Sequence, residues 1–120
     1  MARYGDGFVL PIPKKHLAAY RRMARLASKV FREHGALEYV EAVGDDLKVK
    51  GVVPFMRMAK AKPSETVVFS FITYKSRAHR DRVNKKMMSD PRLQSMMDPA
   101  TNPFDMKRMA YGGFRTIIDE

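Results

Sequence analysis

Five polar side chains sit in or beside apolar runs of this sequence. Tyr39 and Glu41 belong to ALEYVEAV, Ser70 and Tyr74 to ETVVFSFITY, and Arg108 precedes AYGGF. A few polar groups set into an apolar wall are what orients a small ligand in a pocket. These five form the expected ligand-binding set, in a pocket between sheet and helices or inside a barrel. Glu41 opposite Arg57 or Arg108 would make a charge-assisted pair. The plain alternative is an internal network at a dimer core, since buried charges are paired whatever their role.

No pattern in the chain assigns a reaction. HExxH, GxSxG and the Walker loop are missing, and with them the metal, acyl-transfer and phosphate-cradling chemistries they serve. His16, His34 and His79 have no ligand-type spacing, so no metal is expected. His79 could act as a base because histidine titrates near neutral pH; a border position is the plainer reading. With no cysteine there is neither a disulfide framework nor a thiolate. Gly5-Asp6-Gly7 is too short for a nucleotide fingerprint and opens no helix. No cofactor is expected, and catalytic residues stay unassigned.

The second chemistry is charge. The chain carries 23 Lys+Arg against 13 Asp+Glu, a net +10, which suits polyanionic partners. In KKHLAAYRRMARLASKVFREHG the apolar residues Leu17, Tyr20, Ala24, Ala27 and Phe31 recur at helical spacing, and the cations fall on the opposite arc. Arg21, Arg25, Lys29 and Arg32 are the expected contacts if nucleic acid binds there. Arg77, Arg80, Arg82, Lys85 and Lys86 would extend that face on a second helix. Duplex fits better than single strand, because no aromatic residues interleave the charges. A solvated helix face is the competing reading.

These residues need elements to position them. YGDGFVLPIP reads as a first strand, with Pro11 pointing to an edge or a strand end. The long helix follows, with Pro13 at its start and Gly35 as a left-handed stop. ALEYVEAV is a second strand, FMRMAKA a weak third ended by Pro63, and ETVVFSFITY the strongest strand. Ser76 caps a helix over RAHRDRVNKKMMSD, RLQSMMDPATNP holds a helical turn and a loop, and KRMAYGGFRTII closes the chain. Gly112-Gly113 inside that strand predicts a bulge or a close approach by another backbone, with the strand bent so that it joins the sheet and helps close a barrel. Ten methionines, several in pairs, suit irregular core and interface filling.

The order, with weak middle strands, is that of a single α+β domain over residues 1–120, a ferredoxin-like βαββαβ sandwich. Two helices cover only one face of such a sheet. ETVVFSFITY is apolar on both, so the bare face is expected to meet a second copy in a homodimer. YGGF invites comparison with RNA-recognition modules, but too few residues follow it and the first strand lacks the matching aromatics. No stretch of about 18 apolar residues is present, and MARYGDGF has no secretory apolar core. A cytoplasmic protein with no membrane contact is expected.

YGDGFVLPIPKKHLAAYRRMA, ETVVFSFITYKSRAHRDRVNKKMMSDPR and PFDMKRMAYGGFRTIIDE resemble the YbaA-like family of uncharacterised bacterial proteins (domain of unknown function 1428), over nearly the whole chain and in the family's order. The resemblance implies a subunit of the dimeric α/β-barrel superfamily, two sheets facing each other across the dimer. It implies no activity, since relatives of this fold include both cofactor-independent enzymes and ligand-sensing domains.

Overall fold

The computed structural model describes residues 3–120. Four strands form one antiparallel sheet: β1 (Tyr4–Pro13), β2 (Glu38–Val43), β3 (Glu65–Tyr74) and β4 (Ala110–Arg115), in the order β2-β3-β1-β4. Helix α1 (Leu17–Glu33) links β1 to β2, and α3 (Arg77–Met88) follows β3. Two short helices, α2 (Phe55–Met58) and α4 (Pro91–Met96), lie in the connections. This is the ferredoxin-like arrangement expected from the order of elements.

The helix signals act where the sequence places them. Gly35, at φ +115°, adopts the positive φ that a residue with a Cβ avoids. The Ser76 hydroxyl accepts the backbone N–H of His79 at 3.1 Å, satisfying one of the free donors at the start of α3. Asp90 does the same for α4, accepting from Arg92 N at 2.9 Å, with Pro91 in the first turn.

Three expectations are corrected. FMRMAKA is a turn of helix: Pro54 fixes its entry, and Ala59 N bonds back to the Phe55 carbonyl at 2.8 Å. Its apolar pair Phe55/Ala59 has helical spacing, which outweighs its β-formers. Of the two readings of Pro11, the edge is corrected, since β1 is central, while the strand end agrees with β1 finishing at Pro13. Pro11 is tolerated because β4 pairs with β1 only as far as Val9↔Ala110, leaving no partner strand on that side at Pro11. Gly112-Gly113 forms no bulge, since the β1–β4 register runs unbroken from Val9↔Ala110 to Tyr4↔Arg115.

The glycines answer to close approach instead. A Cβ on Gly113 would meet the Tyr4 hydroxyl and stand 2.9 Å from its ring carbons. Opposite, Gly7 pairs with Gly112, and the Phe114 ring lies 3.3 Å from where a Gly7 Cβ would stand. Gly113 and Gly7 thus leave room for two aromatic side chains, Tyr4 and Phe114.

Alternation along the strands sends one set of residues to the helices. Leu10, Ile12, Val68 and Ile72 are buried there against Tyr20, Ala24, Val30, Val83 and Met87. The other face has less cover. Phe69 remains 44% exposed and Phe114 66%, with Val9, Val40 and Phe71 half-buried. Phe55 of α2 meets Phe69 edge-on, with ring centroids 6.4 Å apart.

Candidate functional site

The helix-facing side of the sheet carries the polar residues in two rows. One row runs Glu41–Ser70–Phe8–Tyr111 and the next Tyr39–Ile72–Asp6–Gly113, each across β2, β3, β1 and β4. Above them α1 contributes Tyr20, Met23, Ala27 and Phe31, an apolar stripe of helical period. Sheet and helices border a cavity of about 440 Å³ that opens to solvent, inside the usual range for small-ligand sites. Met87 and Met88 of α3, Met96 at the end of α4 and Met97 just after it line it with Phe104, Met106 and Met109 of the last connection. Several of the paired methionines expected as filler thus surround a space.

Glu41 is the polar centre of this cavity. Tyr20 donates its hydroxyl to Oε1 at 2.8 Å and Tyr39 donates to Oε2 at 2.6 Å. Burial pushes the Glu41 carboxyl above the ordinary range, opposed by the hydroxyls of Tyr39, Tyr20 and Ser70. Both phenols are pushed up, first by burial and then by the Glu41 charge, so they stay protonated donors. Glu41 also faces an outer groove between α1 and β2, beside Arg21, Arg22 and Arg25.

A second polar group lines the cavity from β1. Asp6, 2% exposed, accepts from Arg80 Nη1 at 2.7 Å. Arg80 also reaches the hydroxyls of Tyr111 at 3.1 Å and Tyr4 at 3.3 Å, and stacks over the Tyr4 ring at 4.9 Å. Burial raises the Asp6 carboxyl, with the Arg80 charge opposing. Tyr74 lies one row beyond Asp6. Its hydroxyl is fully buried without a hydrogen-bond partner, and burial, then the Asp6 charge, push its acidity down.

Of the five expected ligand-binding residues, the structure brings Tyr39, Glu41 and Ser70 together at the cavity. Tyr74 shares their face but lies behind Asp6. Arg108 is elsewhere: it grips Glu65 with two bonds of 2.8 and 2.7 Å and donates to the Lys60 carbonyl at 3.1 Å. The expected pairing of Glu41 with Arg57 or Arg108 does not form. Glu65 is one strand residue of the opposite parity to Ser70, so Arg108 serves the other face of the sheet. Arg80, expected on the outer basic face, turns inward to Asp6. Arg21, Arg25, Lys29 and Arg32 are exposed on α1, and none has an ion-pair partner among the described residues.

The histidines are structural contacts. His34 meets Asp90 at 2.8 Å, His16 the Pro103 carbonyl at 2.9 Å, and His79 accepts from Lys75 N at 3.0 Å while standing edge-on to Tyr74. Among the described residues no group of three His, Asp or Glu could hold a metal, and no helix is long and apolar enough to cross a membrane.

Sequence reasoning missed Asp6, Tyr20 and Phe104. Asp6 had a signal: in YGDGFVLPIP its parity is that of Phe8, Leu10 and Ile12, which puts a carboxylate on the apolar face. Tyr20 is the one polar tip in the α1 stripe. Phe104 had none, because it comes from an irregular connection.

The chain is similar to known proteins over its full length. The Escherichia coli K12 protein called uncharacterized protein YbaA is 48% identical over 118 residues, 98% of this chain and 99% of that one; the Shigella flexneri protein of the same name matches equally. Among solved structures, a dimeric ferredoxin-like protein from an uncultured marine organism covers 100% of both chains at TM-score 0.63 and 9% identity. A NIPSNAP family protein from Agrobacterium tumefaciens aligns over 95% of this chain and 85% of its own at TM-score 0.57 and 14% identity. These two share the fold. Residues 3–106 match the family described as protein of unknown function, DUF1428, and the chain belongs to that family.

Proposed function

We propose that this protein binds a small molecule, apolar in its body, in the cavity between the sheet and helices α1, α3 and α4. The observation that carries the reading is the cavity itself: about 440 Å³, walled by methionines and aromatic rings, with Glu41, Ser70 and Asp6 on its floor. Apolar walls supply affinity and a few convergent polar groups supply orientation, while methionine adapts to varied shapes. A desolvated carboxylate is also a stronger base than one in water, so Glu41 is the group to take a proton if the bound molecule reacts.

The working unit in this reading is a homodimer. The face bearing Val9, Val40, Phe69, Phe71 and Phe114 is too apolar to stay wet, and the structural neighbour from the marine organism is dimeric.

Native mass spectrometry of the purified protein tests the proposal. A small-molecule mass retained under gentle conditions, and lost in a cavity-filling Ala27→Trp variant that still folds, is the expected result. Retention unchanged by Ala27→Trp overturns the cavity as its location.

A second reading has its own observation. Arg21, Arg22, Arg25, Lys29 and Arg32 are exposed without acidic partners among the described residues, a surface that could meet phosphates. Fluorescence anisotropy with labelled duplex RNA and DNA across a salt series tests it. Binding abolished by combined Arg21→Glu, Arg25→Glu and Arg32→Glu supports it; binding unchanged by the triple variant removes it.

A further inference from the structure

Burying a carboxylate costs several kcal/mol unless a cation or donors compensate it. This fold meets that cost in the same way at three places. Asp6 has Arg80 at 2.7 Å, Glu65 has Arg108 at 2.7 Å, and Asp90 has His34 at 2.8 Å and Arg92 at 2.9 Å. Glu41, half-buried at the cavity wall, is the exception: among the described residues no Lys, Arg or His forms an ion pair with it. Cations are not scarce, with 23 Lys+Arg in the chain. Arg21 and Arg25 border the outer groove beside Glu41 and still do not pair with it.

In place of a cation Glu41 has two phenols and a ring of aromatic faces. Tyr20 and Tyr39 each take one lone pair of the carboxylate, and each oxygen keeps another. Phe104 stands edge-on to Tyr20 with centroids 5.7 Å apart, and Phe31 lies 5.8 Å from Tyr39. Aromatic faces attract cations through the ring quadrupole, most strongly when water is excluded. Carboxylate and aromatic rings at one end of an apolar cavity are complementary to an ammonium carried on an apolar body.

Resting on the reading of the cavity as a ligand site, we propose that its ligand is an organic amine whose ammonium replaces the missing partner of Glu41. The body of the amine lies among Met87, Met96 and Met109, extending toward Asp6. Asp6 is already neutralised by Arg80, so that end offers an acceptor without net charge, and the cationic end of the ligand is fixed at Glu41.

A matched set of probes tests this, because only the end group changes: 4-phenylbutylamine, 4-phenylbutanol and 4-phenylbutanoate, titrated calorimetrically into the protein at neutral pH. The amine is expected to bind roughly tenfold or more tighter than the alcohol, with the carboxylate weakest, and Glu41→Gln is expected to erase the amine's advantage. Equal binding of amine and alcohol, or preference for the carboxylate, overturns the amine while leaving the cavity as a ligand site. Failure of all three to bind overturns both. The series on the unaltered protein decides the matter even if Glu41→Gln does not fold.

Discussion

Arg80 on α3 and Asp6 on β1, 74 residues apart in sequence, meet at 2.7 Å with the carboxylate 2% exposed. The pair ties α3 to a central strand; Arg80 Nε donates to Asp81 at 2.8 Å, and the hydroxyls of Tyr4 and Tyr111 accept from the terminal nitrogens of the guanidinium. Removing Arg80 leaves the Asp6 charge buried without its cation. Arg80→Ala is expected to cost about 3–5 kcal/mol, measured by urea unfolding. The double variant Arg80→Met with Asp6→Leu should recover much of that loss. An Arg80→Ala variant as stable as wild type would show that the pair carries no such weight.

Gly112 and Gly113 are neighbours in one strand with different surroundings. A methyl at Gly113 collides with the Tyr4 ring, which Arg80 holds in place. A methyl at Gly112 has Phe114 Cε1 as its nearest atom, at 3.9 Å. Gly113→Ala should therefore cost about 1–3 kcal/mol and Gly112→Ala distinctly less. Adding Tyr4→Ala should make the Gly113→Ala cost shrink, a non-additivity that a double-mutant cycle reads directly. Equal costs at the two glycines would remove the collision as their explanation.

Two carboxylates should give stability opposite pH dependences. Arg108 holds Glu65 down to about 2. A depressed folded pKa means stability present above the unfolded value, about 4.3, and lost as pH falls toward 2. Glu41 is raised by burial. The folded state then binds more protons than the unfolded one, so its contribution falls as pH rises above about 4.3. Chemical denaturation across pH 3.5–7.5 should show Glu41→Gln gaining stability relative to wild type as pH rises. Glu65→Gln should show a deficit that is constant above pH 5 and narrows in acid. A flat difference for Glu41→Gln would mean that Glu41 ionises as freely in the fold as outside it.

The bare sheet face gives the fourth prediction. Phe69 and Phe114 project from it, and Phe69 also contacts Phe71 at 6.1 Å. Light scattering should give the wild type about twice the 13.8 kDa chain mass. Phe69→Glu should shift it to the single-chain value, because a charge at the centre of an apolar interface is costly to desolvate. A wild type that runs at the single-chain mass would leave this face without its proposed partner.

The sequence by itself determined the order of the four sheet strands and the two long helices, though not the helical turn at FMRMAKA. Period-2 runs such as ETVVFSFITY and the period-3.6 stripe through Tyr20, Ala27 and Phe31 are local properties, and so are the helix stop at Gly35 and the helix start at Ser76. Parity along β3 also placed Ser70 with Val68 and Ile72 on one face. Which polar residues meet was decided only by the tertiary structure. Arg108 and Glu41 were plausible partners as isolated residues, yet the crossing of strands gave Arg108 to Glu65 and left Glu41 to two tyrosines. Arg80 counted as surface charge until α3 packed across β1 and turned it toward Asp6. Gly113 was read as a bend, because nothing local shows that the Tyr4 ring lies over it. Strand and helix periods are written residue by residue, whereas contacts between residues far apart depend on register and packing direction, which no short stretch of the chain contains.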